Sequence, residues 1–240
     1  CVAVPSAAAA LPVPPASHLR VVPVLERYGL VWMSPGRPAR EPCCIELDGD
    51  PAYRRINSGV DVWQASATRM VDNFLDVAHF PYVHVGTFGA GQDPVVAAVE
   101  VVDLDADFTG YRYDVDVADQ RGATTHREMS TGFHLPFTVR STIRYASGLD
   151  HVLLLCSTPI DDVTSYFTFV VWRNDANDDA AAPAEKVIAF DRAIGAEDKA
   201  MLERVPGALA LDRAATVSVQ SDRASLAWRR QLADLLAAGS

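Results

Sequence analysis

NFLDVAHFPYVH, residues 73–84, is the stretch on which the reading of this chain turns. It holds two of the six histidines, His79 and His84, with Pro81 between them. At about 100° per residue, Asn73, Asp76 and His79 fall within an arc of about 120° on one helix face. Pro81 has no N–H, and its ring collides with the carbonyl of Val77, so a helix over 66–80 is expected to stop there. Phe80, just before the proline, is pushed away from the α region. The chain then turns after His79, which leaves His84 free to swing back. The break brings two imidazoles to one point.

Two imidazoles hold a divalent metal well. Iron that activates dioxygen needs open coordination positions, and two histidines with one carboxylate on one face leave them. A zinc protease would want a Glu next to the first histidine, as in H-E-x-x-H, and here Phe80 and Pro81 follow instead. Asp76, one turn before His79, is placed to orient it by a hydrogen bond. The bland alternative is a pair of surface histidines at a helix end, where the imidazolium favours the C-terminal dipole. For the carboxylate the residues leave two choices, Asp191 and Asp198, which share nearly one face of a later helix. Glu197 points about 100° away from Asp198, so the two are not expected to face one metal.

Outward from that stretch, 240 residues at 49% hydrophobic are enough for a sizeable core. A net charge of −10 lacks the basic footprint of a nucleic-acid binder. No apolar run approaches the roughly 18 to 20 residues of a membrane span. Cys1, Cys43, Cys44 and Cys156 form no C-x-x-C or C-x-H pattern, which points to reduced thiols in the cytoplasm. Cys156, within HVLLLCS, is expected to be a core thiol.

Residues 1–19 are Ala- and Pro-rich and extended in expectation. LRVVPVLERYGLVWMSPG spells a hairpin about Arg27–Gly29. A strand is expected near 58–64, then the helix over 66–80 with Met70, Phe74 and Val77 inward. YRYDVDV (111–117) and VRSTIRY (139–145) alternate as half-buried strands, whereas HVLLLCS and SYFTFVVW are apolar throughout, like central strands. Residues 174–183 form a polar loop, Pro183 suits the first turn of a helix to about Glu203, and a last helix over 222–237 carries Leu226, Leu232, Leu235 and Leu236 as core positions. Among the sheet residues, Phe167, Phe169 and Trp172 read as core. His126, His134 and His151 read as surface or core, and Arg140 and Arg144 share one strand face, solvated or paired with a substrate carboxylate. The fold class is α+β, an antiparallel sheet with helices packed on one side.

The stretch NFLDVAHFPYVH resembles the N-x-x-D-x-x-H-x4-H signature of Rieske non-haem iron oxygenases, in particular the branch with vanillate O-demethylase and dicamba demethylase. LERYGLVWMSPG is similar to the last hairpin of that family's Rieske domain. SYFTFVVWRN, EDKAMLE (197–203) and TVSVQSDRASLAWRRQLADLL match later segments in the expected order. The resemblance implies a helix-grip-like catalytic domain over 46–240, preceded by the end of an all-β Rieske domain over 1–45. It implies Fe(II) held by His79, His84 and Asp198, Asp76 as the bridge for electrons, and Asn73 beside the iron. It implies a small aromatic substrate and O2, monooxygenation such as O-demethylation, a reductase or ferredoxin fed by NAD(P)H, and a homotrimer.

The departure is the [2Fe–2S] cluster. Its C-x-H and C-x2-H ligand pairs do not occur here, and the chain is expected to be a truncation that has lost them. Three other outcomes stay open: a non-catalytic domain of similar fold that binds a hydrophobic ligand, a ring-hydroxylating dioxygenase, and a hydrolase using the same three ligands.

Overall fold

The structure is a computed structural model that describes residues 11–89, 91–118, 124–175, 183–212 and 216–238. Cys1 and most of the 174–183 loop lie outside these residues. The chain divides into two compact units, Cys1–Pro42 and Cys43–Ser240.

In the first unit, β1 (Val24–Arg27) pairs with β2 (Leu30–Met33) as an antiparallel hairpin. Tyr28 and Gly29 carry φ of 61° and 68° at the turn, the doubly left-handed conformation that matches strand twist.

The second unit is built on a seven-stranded antiparallel sheet. Its strands are β3 (Arg54–Trp63), β4 (Val102–Asp103), β5 (Thr109–Ala118), β6 (Thr124–His134), β7 (Thr138–Tyr145), β8 (Asp150–Pro159) and β9 (Ser165–Arg173), in the order β3-β9-β8-β7-β6-β5-β4. The strands after β4 follow one another as a meander, and β3 closes the other edge against β9. The alternation seen in 139–145 splits β7 as expected. Ser141, Ile143 and Tyr145 face a cavity under the helices, and Arg140, Thr142 and Arg144 face a polar cleft on the opposite side.

Both faces of the central strands are buried, for different reasons. On one face lie α1 (Ala67–Phe74), α3 (Ala184–Leu202) and α4 (Arg223–Ala238), which bury Met70, Val187 and Trp228 in two apolar clusters with the sheet. On the other face Val152, Leu154, Cys156, Val170 and Trp172 are buried as well. There Cys43 and Ile45 are fully packed, and Trp172 donates from Nε1 to Asp48 Oδ1 at 3.1 Å. A segment without regular structure thus supplies the cover that the continuous apolar runs of β8 and β9 require. Cys156 is the expected core thiol, and burial pushes its pKa up. Among the described residues no helix is long and apolar enough to cross a membrane.

Two expectations about helices need correction. The helix over 66–80 ends at Phe74, capped at its start by Ser66, whose hydroxyl accepts from the Arg69 N–H. Asp76 takes the N–H groups of Ala78 and His79 at 3.1 and 2.9 Å, so its carboxylate competes with the helix for them. Pro81 does not stop this helix. It sits in the first turn of a new short helix, α2 (Phe80–Val83), where a missing N–H costs nothing. In α4 the buried positions are Ala224, Ser225, Trp228, Arg229 and Leu232, and Leu236 is 58% exposed, not core. The face is turned because Arg229 goes inward to Asp72, at 2.6 Å.

Candidate metal centre and its cavity

Asn73 stands on the last turn of α1, His79 and His84 flank α2, and Asp198 lies on α3. Three atoms from them converge. His79 Nε2 and His84 Nε2 are 3.1 Å apart, and Asp198 Oδ1 is 3.4 and 3.3 Å from them. This near-equilateral triangle of two imidazole nitrogens and a carboxylate oxygen is the donor set that holds a divalent first-row metal on one face. His84 is 1% exposed and Asp198 5%.

The outer nitrogens explain the orientation of the rings. His79 Nδ1 lies 2.8 Å from Asp76 Oδ2, and His84 Nδ1 lies 2.9 Å from Glu197 Oε2. Carboxylates only accept, so each imidazole donates outward from Nδ1 and turns the Nε2 lone pair inward when neutral. Glu197 is held in turn by the Gly86 N–H and the Thr87 hydroxyl, at 3.1 and 2.7 Å. Asn73 Nδ2 donates to Asp198 Oδ1 at 2.9 Å.

The electrostatics agree with a site built for positive charge. Burial opposes a charged His79, but Asp198 and Asp76 outweigh it and raise the imidazole to about 9. Burial likewise works against the Asp198 anion, yet bonds from His79 and His84 bring it down to about 2. Asp76 is also held below the usual range, against its burial, by His79 and two backbone N–H groups.

Phe88 stacks on the His84 ring at 4.7 Å and 27°, and Phe80 packs edge-on against His79 at 4.9 Å. Gly89 permits this closure. A Cβ there would lie 2.0 Å from the Phe80 carbonyl oxygen. Tyr111, buried under the turn, donates from its hydroxyl to the Leu75 carbonyl at 2.8 Å.

The triangle opens on a cavity of about 120 Å³ between the helices and the sheet. A dry cavity of about 150 Å³ accepts benzene, so the space suits one aromatic ring. Phe74, Met129, Ile143, Leu153, Leu155 and Phe169 supply much of its apolar wall.

The expected site residues therefore fall into groups. Asn73, Asp76, His79, His84 and Asp198 come together. Of the two carboxylates left open by the sequence, Asp198 meets the histidines and Asp191 meets His151 instead, at 3.3 Å. Arg140 and Arg144 do not reach the cavity. They pair with Asp105 and Asp150 on the far face of the sheet. His134 is buried with its Nδ1 3.0 Å from the Asp107 carbonyl oxygen, and His126 is exposed beside Asp116. Phe167 and Phe169 are both core and cavity wall. Glu197 was missed as a site residue. Its pointing away from Asp198 is what lets it meet the outer nitrogen of His84.

An α+β domain that buries a carboxylate with two imidazoles, each imidazole tied by an outer hydrogen bond, at the mouth of an apolar cavity is in make-up a domain for a single metal ion and a small apolar ligand. Comparison with known proteins narrows this. The chain belongs to the vanillate O-demethylase oxygenase C-terminal domain family, whose model matches residues 63–238, and so to the family expected from NFLDVAHFPYVH. Methylxanthine N1-demethylase NdmA of Pseudomonas putida is 29% identical over 220 residues, covering 88% of this chain and 59% of that protein. The probable methylxanthine N7-demethylase NdmC of Pseudomonas sp. (strain TJI-51) is 30% identical over 218 residues, covering 86% and 75%. The solved structure of Pseudomonas putida CBB5 NdmA with caffeine superposes with a TM-score of 0.76 at 25% identity, over 93% of this chain and 64% of that one. The chain thus spans less than two thirds of the length of NdmA.

Proposed function

We propose that this chain carries the catalytic domain of a Rieske-type oxygenase that demethylates a small aromatic or heteroaromatic substrate with O2. The observation that carries the reading is the buried donor triangle of His79, His84 and Asp198 at the end of an apolar cavity. The names of the relatives, demethylases of methylxanthines, support the reaction type.

The donor set fits Fe(II), two neutral imidazoles and one carboxylate leaving the other coordination positions free. Bound there, the iron would supply the activation of dioxygen. The chain's own residues do the rest. Asp76 and Glu197 fix the two rings and make them better donors. Asn73 holds the carboxylate of Asp198 in one orientation. Phe80 and Phe88 keep water from the rings, and the apolar wall places the methyl group near the triangle. In the overall reaction the methyl carbon leaves as formaldehyde with one oxygen atom of O2. The other atom leaves as water, and two electrons and two protons are consumed.

These 240 residues do not fit a [2Fe–2S] cluster, since no Cys-x-His or Cys-x2-His pair occurs among them. The electrons must therefore come from outside them, through a reductase or ferredoxin partner. Asp76, whose side chain is 26% exposed while it touches His79, is the group through which they would enter. A homotrimer with Asp76 near a neighbouring subunit, residues 1–45 as the end of a cluster-binding domain, and a cytoplasmic setting belong to the same reading. The thiols of Cys44 and Cys156, free among the described residues, accord with that setting.

The test is anaerobic loading with Fe(II), removal of free metal and X-ray absorption at the iron edge. About one iron per chain with imidazole nitrogen in its shell is expected. A chain that retains no iron, or holds it through oxygen alone, would overturn the proposal.

A further inference from the structure

At the end of the cavity away from the metal triangle, two buried polar atoms, His151 Nε2 and Asp191 Oδ2, face each other without forming a hydrogen bond. His151 is 3% exposed and Asp191 8%. His151 Nε2 and Asp191 Oδ2 are 3.3 Å apart but misaligned, and neither atom has a hydrogen-bond partner. Both residues line the cavity. Buried polar atoms are nearly always paired, so two orphans side by side in a cavity wall point to a ligand.

Their chemistry can be assigned. Arg173 approaches His151 Nδ1 with its guanidinium at 3.3 Å. Arginine only donates, so Nδ1 accepts and the ring proton sits on Nε2. His151 therefore offers a donor to the cavity, and the Asp191 carboxylate beside it offers an acceptor. Asp191 precedes Asp198 by two turns of α3, about 10 Å along the axis. A ring between the two ends would have its polar edge at His151 and Asp191 and its opposite side at the metal triangle.

We infer that His151 and Asp191 recognise the substrate of the proposed oxygenase, and that they select a neutral ring bearing a hydrogen-bond acceptor next to an N–H, such as an amide or lactam edge, over an aromatic carboxylate. The acceptor takes the His151 Nε2–H, and the N–H is given to Asp191. A carboxylate would set a second anion against Asp191 in a buried site, where like charges are costly. Arg127, the cation of the same cavity wall, is stacked at 4.8 Å over the Tyr145 ring, and its buried Nε is a further donor without a partner for the ligand's acceptor edge. The inference rests on the cavity being the substrate site of the proposed function.

The experiment is calorimetric titration of the metal-loaded chain with 4-methoxybenzamide and 4-methoxybenzoate, which differ only in the polar edge. Wild type is expected to bind the amide at least about tenfold more tightly than the acid. Asp191→Asn should cut that preference about tenfold, chiefly by tighter binding of the acid. His151→Gln, which keeps a donor, should hold the amide within about threefold, and His151→Leu should weaken it about tenfold. Equal binding of both probes, no binding of either, or an Asp191→Asn variant that loses both equally would overturn the inference. Metal content measured on the same samples separates this from failure of the oxygenase reading, which would appear as a wild-type chain without metal.

Discussion

The two ends of the cavity are each built from histidine and an aspartate of α3, and they are finished in opposite ways. At the Asp198 end the outer nitrogen of each histidine is satisfied by a carboxylate. Asp76 holds His79 and Glu197 holds His84, while Asn73 donates to Asp198 Oδ1, the same oxygen that faces the two Nε2 atoms. At the Asp191 end the outer nitrogen of His151 meets a cation, and Nε2 and the carboxylate oxygen are left unmatched. Identity of side chain does not separate the two. The partner behind each imidazole does. A carboxylate at Nδ1 makes Nε2 an electron-pair donor for a metal, and a guanidinium at Nδ1 makes Nε2 a proton donor for a ligand.

That contrast can be broken most severely at His84. His84→Ala removes one donor of the triangle and is expected to lower metal affinity more than about 100-fold, the loss that removal of a mere supporting partner reaches at most. A chelator competition measures it. Next comes the support. Glu197→Gln should cost about 10- to 100-fold in the same competition, because the amide cannot draw the Nδ1 proton as a carboxylate does. The melting temperature of the metal-free chain should change little, since Glu197 is not a core residue. Gly89→Ala should cost about 1–3 kcal/mol in chemical denaturation, since its Cβ meets backbone and the loop over His84 must shift. The smallest effect is expected from Tyr111→Phe, about 1 kcal/mol in denaturation, through loss of the bond to the Leu75 carbonyl beneath the Asp76 turn.

Much of this was legible in the sequence, and the limits have physical causes. Pro81 announced a break, but the break comes before His79, and it is the single turn of α2, not a swing of the chain after His79, that brings the two histidines together. Its place was off because Asp76 ends the helix earlier by taking backbone N–H groups, an effect of a side chain's own geometry that apolar periodicity does not register. The strands at 111–117 and 139–145 were legible because half-buried strands alternate, whereas β6 between them was not read. The burial of HVLLLCS and SYFTFVVW on both faces was legible as well, but the element that covers the second face was not. Residues 43–53 form neither helix nor strand, so they carry no period to detect. Asp191 and Asp198, seven residues apart on one helix, are equivalent by periodicity. Only the fold shows that the turn before His84 comes down on one of them and β8 on the other. Glu197 was set aside because it points away from Asp198, an argument correct for the metal and silent about the ring behind it.

The most direct test of this account is the metal content of two alanine variants. Asp198→Ala and Asp191→Ala would be loaded with Fe(II) without oxygen, freed of loose metal and assayed for iron, with folding checked by circular dichroism. The account predicts that folded Asp198→Ala loses its iron and folded Asp191→Ala keeps the wild-type amount. Retention by the first, or loss by the second, would contradict the assignment of metal to one end of the cavity and substrate to the other.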